Sequence, residues 1–429
     1  GKPPPPPPCR IGGLDLPTLK LLADRKSVRQ RDKEKYLPIR LYCGNYFSAY
    51  NQQVIQFLIE LYPASIAFDD VHGMLSIHHA CRVPRQENLP AIQALVQAYP
   101  GGLKIQDSEC LTPIFVAIQN AREENVPVIQ YLAEACPQSV SQLNGLGITV
   151  LHWYFTSCCG NPNASVVQAL FNANPNILGI KDMEGFTPFH RACQESRDLC
   201  TMRLMAGKCP EMLESDSEDE IGTPLHALCK SMNGTCRWCR PFRRDRDFPR
   251  KKCQHHLRAP TLEALRILAF SEKAVKAKNS AGLTPLHLLC GSGESREVLM
   301  ILLNQAPSAA RTRDRNGQIP LHSAIEGYAR DAYSGGIKES NYEETIQCLL
   351  EIFPLGVQVA NNDKGMTPLM LACEFDLSLS IIYQLVKTDP ISTRHGWSQV
   401  SHKYKANDSA VTGQTSFFSH LGRAFGLVR

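Results

Sequence analysis

Apolar residues recur in pairs four positions apart, at the third and seventh residues of a heptapeptide that occurs nine times along the chain. Residues four apart lie on one face of a helix, so the spacing predicts a short helix at each copy. A near-constant period predicts stacked supersecondary units rather than one globular core. The copies begin at Leu37, Leu75, Thr112, Thr149, Thr187, Thr223, Thr284, Ile319 and Thr367, in steps of 38, 37, 37, 38, 36, 61, 35 and 48 residues.

The first residues of the heptapeptide indicate where each helix begins. Thr stands first in six copies and Pro second in seven. A Thr hydroxyl can accept a backbone N–H of the first turn, and Pro suits the first helical position because no N–H is needed there. A Gly two residues before most copies favours a tight turn into the helix.

A second apolar segment follows each heptapeptide, for example Val128–Leu132 and Val298–Leu303. Most of these segments stop at a proline, which cannot continue a helix. About a dozen residues rich in Asp, Asn and Gly then lead to the next copy. Each unit is therefore predicted to be a helix, a short turn, a second helix and a long turn.

The phrase Thr284-Pro285-Leu286-His287, the two-helix unit and the turn before each copy resemble ankyrin repeats over residues 36–390. The resemblance implies an all-α helix-turn-helix solenoid of about nine repeats. It also implies a non-catalytic scaffold or adaptor that binds a protein partner on its concave face. The units are longer than the usual ~33 residues, and Tyr-Pro, Ala-Pro or Cys-Pro replaces the family's Gly-Ala-Asp turn.

The resemblance also suggests roles for single positions. It implies that the histidine in six copies hydrogen-bonds its own turn and the neighbouring one, so a catalytic or metal role is disfavoured. It places the residue before each copy on the hairpin flank that faces the concave surface, where an apolar row could bind a partner. The predicted partner-binding residues are Met74, Leu111, Ile148, Trp153, Phe186, Leu283 and Met366. Two alternatives stay open: longer hairpins bury this row, and Trp153 is an oversized packing contact.

The 61-residue step places about 25 extra residues between the two helices of the sixth unit, as an insert over 233–258. Within it, Cys236 and Cys239 form a C-x2-C pair, and Cys253 and His256 form a C-x2-H pair. Such pairs can reach one tetrahedral zinc ion, which would supply folding energy that a short insert lacks. The sequence therefore predicts one structural zinc as the only cofactor, with a basic loop bearing free thiols as the alternative.

The same insert is strongly basic and contains interleaved aromatic residues. Its basic patch comprises Arg240, Arg243, Arg244, Arg246, Arg250, Lys251 and Lys252. Cations beside aromatic rings can contact phosphates and stack on bases. An alternative function is therefore a nucleic-acid-associated or regulatory factor, although an acidic-partner site or a nuclear-import signal fits the same pattern. The acidic run 214–220 is expected to form a surface separate from this patch.

Three other segments differ from the repeats. Residues 1–35 are a Pro-rich N-terminal segment, and 391–429 are a C-terminal tail or cap. Residues 327–342, which contain Ser334-Gly335-Gly336, are predicted to be a flexible loop inserted into the eighth unit.

Composition limits the remaining possibilities. The chain has 429 residues, a net charge of +5 and no run of eighteen apolar residues, so no membrane span is expected. Six of the 17 cysteines occupy the repeated helix position, where they are expected to be small buried apolar groups, which favours a reducing compartment, the cytoplasm or the nucleus. No P-loop, nucleophile elbow, dinucleotide fingerprint or HExxH motif occurs, so an enzyme is not expected. We expect the protein to be monomeric.

Overall fold

The structure is a computed structural model of the whole chain. The residues that it describes are 17, 20–21, 24–32, 36–44, 50–82, 86–119, 125–157, 163–196, 198–216, 222–232, 262–333 and 339–389. They divide between two compact units, Gly1–Cys209 (unit 1) and Pro210–Arg429 (unit 2).

Unit 1 contains pairs of helices in which a helix that begins within the heptapeptide is followed by a longer one. Helices packed side by side belong to successive pairs, such as the second and fourth helices, Gln52–Leu61 and Leu89–Ala98. The helices of unit 1 are α1 (Pro38–Cys43), α2 (Gln52–Leu61), α3 (Ser76–Cys81), α4 (Leu89–Ala98), α5 (Pro113–Gln119), α6 (Val126–Ala135), α7 (Pro137–Ser141), α8 (Val150–Ser157), α9 (Ala164–Ala173), α10 (Pro188–Arg191) and α11 (Leu199–Lys208).

Unit 2 repeats this arrangement, and the regular elements in the described part of both units are all helical. Its helices are α12 (Pro224–Met232), α13 (Leu262–Leu268), α14 (Glu272–Lys276), α15 (Pro285–Cys290), α16 (Arg296–Gln305), α17 (Pro320–Tyr333), α18 (Glu339–Ile352), α19 (Pro368–Glu374) and α20 (Leu379–Thr388). The all-α repeat organisation predicted from the heptapeptide is thus confirmed for the described residues.

The predicted helix start is confirmed at each copy, because every first helix begins at the second residue of the heptapeptide. In α10, Thr187 is the N-cap and Pro188 follows it at the first helical position. His190 completes a capping box, since its Nδ1 accepts the Thr187 N–H at 3.2 Å. This is the place that Glu or Gln usually takes in a capping box. The imidazole therefore closes the first turn of its own helix.

A proline follows most second helices and begins a new single turn rather than only ending the old one. Pro63–Ala67 and Pro307–Arg311 are 3₁₀ turns with proline at the first position. The residue before each of these two prolines is not helical, with φ −146° and ψ 81° at Tyr62 and φ −143° and ψ 82° at Ala306. Proline disfavours a helical conformation in the preceding residue. The Tyr-Pro and Ala-Pro sequences thus break the chain direction where the second helix ends.

The long turns are hairpins held by an Asp or Asn five residues before most heptapeptides. Asn279 Oδ1 accepts the N–H groups of Ala281 and Leu283 at 3.1 and 2.9 Å. Gly282 adopts φ +77°, and a Cβ there would lie 2.7 Å from the backbone nitrogen of Arg315 on the next hairpin. That nitrogen donates to the carbonyl oxygen of Ala281 at 3.3 Å. Glycine is therefore required for the turn and for the close approach of neighbouring hairpins.

The repeated apolar positions form the core of each unit. The third residue of every heptapeptide is buried, and so is every cysteine at the seventh position. Burial raises the pKa of the Cys43 thiol to about 12, so this sulfur stays protonated and behaves as a small apolar group. Among the described cysteines none is in a disulfide.

The expectation of a loop over 327–342 is wrong for the residues on both sides of 334–338. Residues 327–333 continue α17, and 339–342 begin α18. Gly327 lies inside α17 because the helix passes close to α15: a Cβ at this position would be 2.4 Å from the Gly291 carbonyl oxygen. Tyr328 and Ala329 are buried. Gly327 therefore permits close helix packing and is not part of a turn.

None of the helices in the described ranges is long and apolar enough to cross a membrane.

Candidate partner-binding surface

Five of the motif histidines connect their own repeat to the next one. In His152, Nδ1 accepts the N–H of Thr149 at 3.3 Å and Nε2 donates to the carbonyl oxygen of Phe186 at 2.8 Å. His287 forms the same pair of bonds, with Thr284 N–H at 3.1 Å and with the carbonyl oxygen of Gln318 at 3.2 Å. His78, His226 and His322 also follow this scheme.

Burial keeps these histidines in the neutral form. Burial lowers the pKa of His152, His226, His287 and His322 to about 4, since a buried imidazolium loses its hydration. Each ring therefore has one donor and one acceptor, and the structure uses both. The structural role that the resemblance implies for the motif histidines is confirmed in these repeats.

The predicted apolar row before the heptapeptides is partly covered. Phe186 is 3% exposed and Leu111 is 5% exposed, so these two belong to the core of unit 1. Met74 and Ile148 in unit 1 are half-buried, as are Leu283 and Met366 in unit 2. A partner could touch the row in unit 1 at Met74 and Ile148, where apolar surface stays open to solvent.

The backbone of this row is held rigidly by its own hairpin. Ile148 donates its N–H to Asn144 Oδ1 at 3.2 Å, and its carbonyl oxygen accepts the Asn144 N–H at 3.0 Å. Met74 is held in the same way by Asp70, at 3.0 and 3.1 Å. The side chains are thus presented from fixed backbone positions, which reduces the entropy lost when a partner binds.

Trp153 and Tyr154 differ in role although they are adjacent. Tyr154 is 1% exposed, and its hydroxyl accepts the N–H of Asn163 at 2.6 Å, so it is a core residue. Trp153 is half-buried at the fifth position of its heptapeptide, on α8. Its Nε1 has no hydrogen-bond partner among the described residues. This nitrogen is itself buried, so it is not open to a partner in this structure.

A buried charge cluster occupies the corresponding position of the next repeat. The Arg191 guanidinium donates to Asp182 Oδ2 through Nε at 2.9 Å and through a terminal nitrogen at 2.6 Å. The same terminal nitrogen contacts Glu184 Oε2 at 2.7 Å, and the guanidinium lies 4.4 Å from the centre of the Phe186 ring. Arg191 thus covers Phe186, which explains why this member of the apolar row is buried.

A second cluster lies at the start of unit 1. It again joins a hairpin Asp to the fifth residue of the following heptapeptide. Asp70 Oδ2 accepts hydrogen bonds from Arg40 at 3.1 Å and from His79 Nε2 at 2.9 Å. Burial acts to raise the pKa of Asp70, but hydrogen bonds from the backbone of Met74, from His79 and from Arg40 together lower it to about 2. Burial, with help from the positive charge of Arg40, lowers the pKa of His79 to about 4. His79 is therefore a neutral donor that holds the hairpin carboxylate.

Sequence reasoning overlooked these two clusters and the Asp and Asn acceptors. A signal for the acceptors was present, because Asp or Asn precedes eight of the nine heptapeptides by five residues, at Asp32, Asp70, Asp107, Asn144, Asp182, Asn279, Asp314 and Asn362. The clusters had a weaker signal, since Arg191 and His79 are polar residues at a helix position that is apolar in most copies.

The predicted zinc ligands Cys236, Cys239, Cys253 and His256 lie outside the described residues, as does the basic patch from Arg240 to Lys252. In the part of the chain that is described, no group of three or more His, Cys, Asp or Glu side chains could hold a metal ion. The zinc site stays a prediction.

The acidic run beside the insert is described up to Asp216. Glu214 accepts a hydrogen bond from the Ser271 hydroxyl at 2.9 Å and lies 3.6 Å from Lys273. Ser271 is the N-cap of α14, and Lys273 lies within that helix. Glu214 therefore contacts the next repeat of unit 2 through side chains that sequence reasoning did not consider.

No protein-family model matches the sequence. Among solved structures, the crystal structure of the ankyrin repeat domain of Bcl-3, a member of the IkappaB protein family, resembles the chain. The identity is 20%, the match covers 64% of this chain and 97% of that chain, and the TM-score is 0.43. At this level we infer no function from the likeness. The helix pairs, the glycine-containing hairpins and the histidine links between repeats are features that resemble those of ankyrin repeats.

Proposed function

We propose that the protein is a non-catalytic scaffold that binds a protein partner along the hairpin flanks and first helices of unit 1. One observation supports this proposal most directly. The motif histidines and the hairpin Asp and Asn side chains form hydrogen bonds within the protein. Met74, Ile148 and Trp153, in contrast, are only half-buried. Side chains of this kind supply contact area at low entropic cost.

Site-specific photo-crosslinking tests the proposal, because it captures a bound partner of any identity. A photoreactive amino acid at position 74, 148 or 153 should form the same discrete protein adduct in cell extract. A matched control is position 130, because Gln130 is exposed on the second helix α6. Adducts of equal strength at position 130, or none at the three test positions, would show that the partner binds elsewhere.

A double substitution then separates binding from folding. Met74→Glu with Ile148→Glu places charges on the open positions of the row and should abolish the adduct at position 153. We choose Ile148 rather than Phe186, because a charge at the buried Phe186 would unfold the repeat. A suitable control is Val71→Glu, since Val71 is 65% exposed at a hairpin tip. Far-UV circular dichroism should be unchanged in both variants.

We retain a second function because the insert is so basic in sequence. The insert would bind nucleic acid through Arg243, Arg244, Lys251 and Lys252. The association constant would then fall steeply as the salt concentration rises. Replacing these four residues by Gln should flatten the salt dependence. Binding to an oligonucleotide that is unaffected by the change would leave only the scaffold function.

A further inference from the structure

Four exposed cations lie on two neighbouring hairpin regions of unit 2. Lys278 belongs to the hairpin before α15, and Arg311, Arg313 and Arg315 belong to the turn and hairpin before α17. We call these four residues the basic strip. In the described part of unit 2, no carboxylate lies within ion-pair distance of any of them. The strip therefore presents four cations that have no ion-pair partner among the described residues of unit 2.

The cations are held in place by the backbone of the adjacent hairpin. Lys278 Nζ donates to the carbonyl oxygen of Arg313 at 2.8 Å. Arg313 in turn donates to the carbonyl oxygen of Ala360 on the following hairpin at 3.4 Å. The two cations thus occupy defined positions in a line across successive hairpins, which lowers the entropic cost of binding an anion.

Arg311 is also oriented, by an aromatic ring. Its guanidinium lies 5.1 Å from the centre of the Phe353 ring. A guanidinium beside a ring face keeps its edge N–H donors available for a carboxylate. Phe353 is itself only half exposed and is partly covered by Arg311, so it offers little surface to a nucleobase.

Three acidic side chains offset part of the charge of the strip. Asp314 uses Oδ1 to accept the N–H of Gln318 at 2.8 Å and so holds its own hairpin. Glu326 accepts a hydrogen bond from the Gln318 side chain. Asp363 is exposed on the next hairpin, where Lys364 pairs with Glu374 at 3.5 Å. The local balance remains positive when these groups are included.

We propose that the basic strip binds an acidic, extended segment of a protein. Packed elements of neighbouring repeats are about 10 Å apart, which is the length of about three residues of extended chain. A segment of about six residues could therefore pair carboxylates with both hairpins at once. Guanidinium groups can bind carboxylates through two parallel hydrogen bonds. Carboxylates on one extended segment thus match the spacing and the donor geometry of the strip.

The strip suits a protein segment better than a nucleic acid. Proteins that bind nucleic acids tightly often make about 6–10 phosphate contacts, and single-strand binders add aromatic platforms for the bases. The strip has four cations, and the ring beside it is occupied by Arg311. This inference concerns unit 2 and does not depend on the function proposed for unit 1.

Fluorescence anisotropy on the full chain tests the proposal with a labelled octaglutamate peptide as the probe. The strip variant is Lys278→Gln with Arg311→Gln, Arg313→Gln and Arg315→Gln. A matched control variant, Lys273→Gln with Lys276→Gln, Arg296→Gln and Lys364→Gln, makes the same charge change at four cations that already pair with carboxylates in unit 2. A third variant neutralises Arg243, Arg244, Lys251 and Lys252 of the insert.

We expect the strip variant to weaken peptide binding about tenfold or more at low salt, and the control variant to change it less than about twofold. Equal losses in the strip and control variants would overturn the proposal, because net charge alone would then explain binding. Loss only in the insert variant would also overturn it. An eight-residue oligothymidylate that binds the strip more tightly than the peptide would assign the surface to nucleic acid instead. Thermal unfolding midpoints check that each variant is folded.

Discussion

His152 joins two repeats of unit 1, because its Nε2–H donates to the carbonyl oxygen of Phe186 at a distance of 2.8 Å. The other ring nitrogen accepts a hydrogen bond within its own turn. One side chain therefore closes a helix and connects it to the next hairpin. At the fourth position of the heptapeptide, the histidine can form both hydrogen bonds at once.

Replacing His152 by Leu should destabilise unit 1 by about 3 kcal/mol, because a buried carbonyl oxygen and a buried N–H would both lose their partner. Urea unfolding followed by circular dichroism measures the change. His72→Leu is the control, since His72 is exposed at a hairpin tip and should change stability by less than about 0.5 kcal/mol. Similar losses in the two variants would contradict the role assigned to His152.

Stability should fall as pH decreases from 6.5 to 4. The ordinary pKa of histidine is 6.5, and burial lowers the pKa of His226, His287 and His322 to about 4 in the folded protein. Between these values the unfolded chain binds protons that the folded chain does not, so protonation favours unfolding. Each such histidine contributes a slope of up to about 1.4 kcal/mol per pH unit.

The test is the slope of the unfolding free energy against pH, compared between the natural chain and His322→Gln. The variant should be less stable at pH 7 but should lose stability less steeply on acidification. An identical slope would show that His322 is not buried in its neutral form. The low pKa of Asp70, about 2, acts in the same direction but mainly below pH 4.

Two glycines should respond in opposite ways to alanine. Gly327→Ala should destabilise the protein by about 2 kcal/mol, because its Cβ would lie 2.4 Å from the Gly291 carbonyl oxygen. Gly207→Ala should stabilise it by about 0.5–1 kcal/mol, since Gly207 lies in α11 with no atom within 4 Å of the added Cβ. Thermal unfolding of both variants measures the difference. A neutral Gly327→Ala would mean that α15 and α17 can move apart freely.

The insert should bind one zinc ion per chain. Metal analysis of protein purified without chelator should find about one equivalent, and Cys239→Ser should remove it. Cys200→Ser is a matched control, because Cys200 is exposed on α11 and lies outside the C-x2-C and C-x2-H pairs. Protein with no zinc would leave the alternative of a basic loop with free thiols.

Several features of the fold could be predicted from single residues because local chemistry determines them. Thr187 and Pro188 favour the start of α10 through capping and a preset backbone angle, both of which are local properties of the chain. The apolar positions four residues apart fixed which side of each helix would be buried. The interpretation of Gly327 as part of a loop failed because the reason for that glycine is a neighbouring helix, distant in sequence.

The candidate site was predictable only in part, because the exposure of its side chains depends on residues that are distant in sequence. The position of Met74 and Phe186 before the heptapeptide is a property of the sequence, but their exposure is not. Phe186 is covered by Arg191, whose guanidinium is held in turn by Asp182 and Glu184. The one sign of such a cluster in the sequence is a polar residue at a helix position that is apolar in most copies, and it is a weak sign because an arginine in a helix is usually solvated.

By itself the sequence determined the repeat, the helix starts and ends, and the buried face of each helix, because these depend on residues within one turn of each other. Only the tertiary structure decided which side chains remain available to a partner. Met74 and Ile148 stay open while Phe186 is covered, and Lys278 is aligned with Arg313 on the next hairpin. Exposure and charge alignment depend on neighbours in other repeats, distant along the chain, so they appear only when the repeats are packed together.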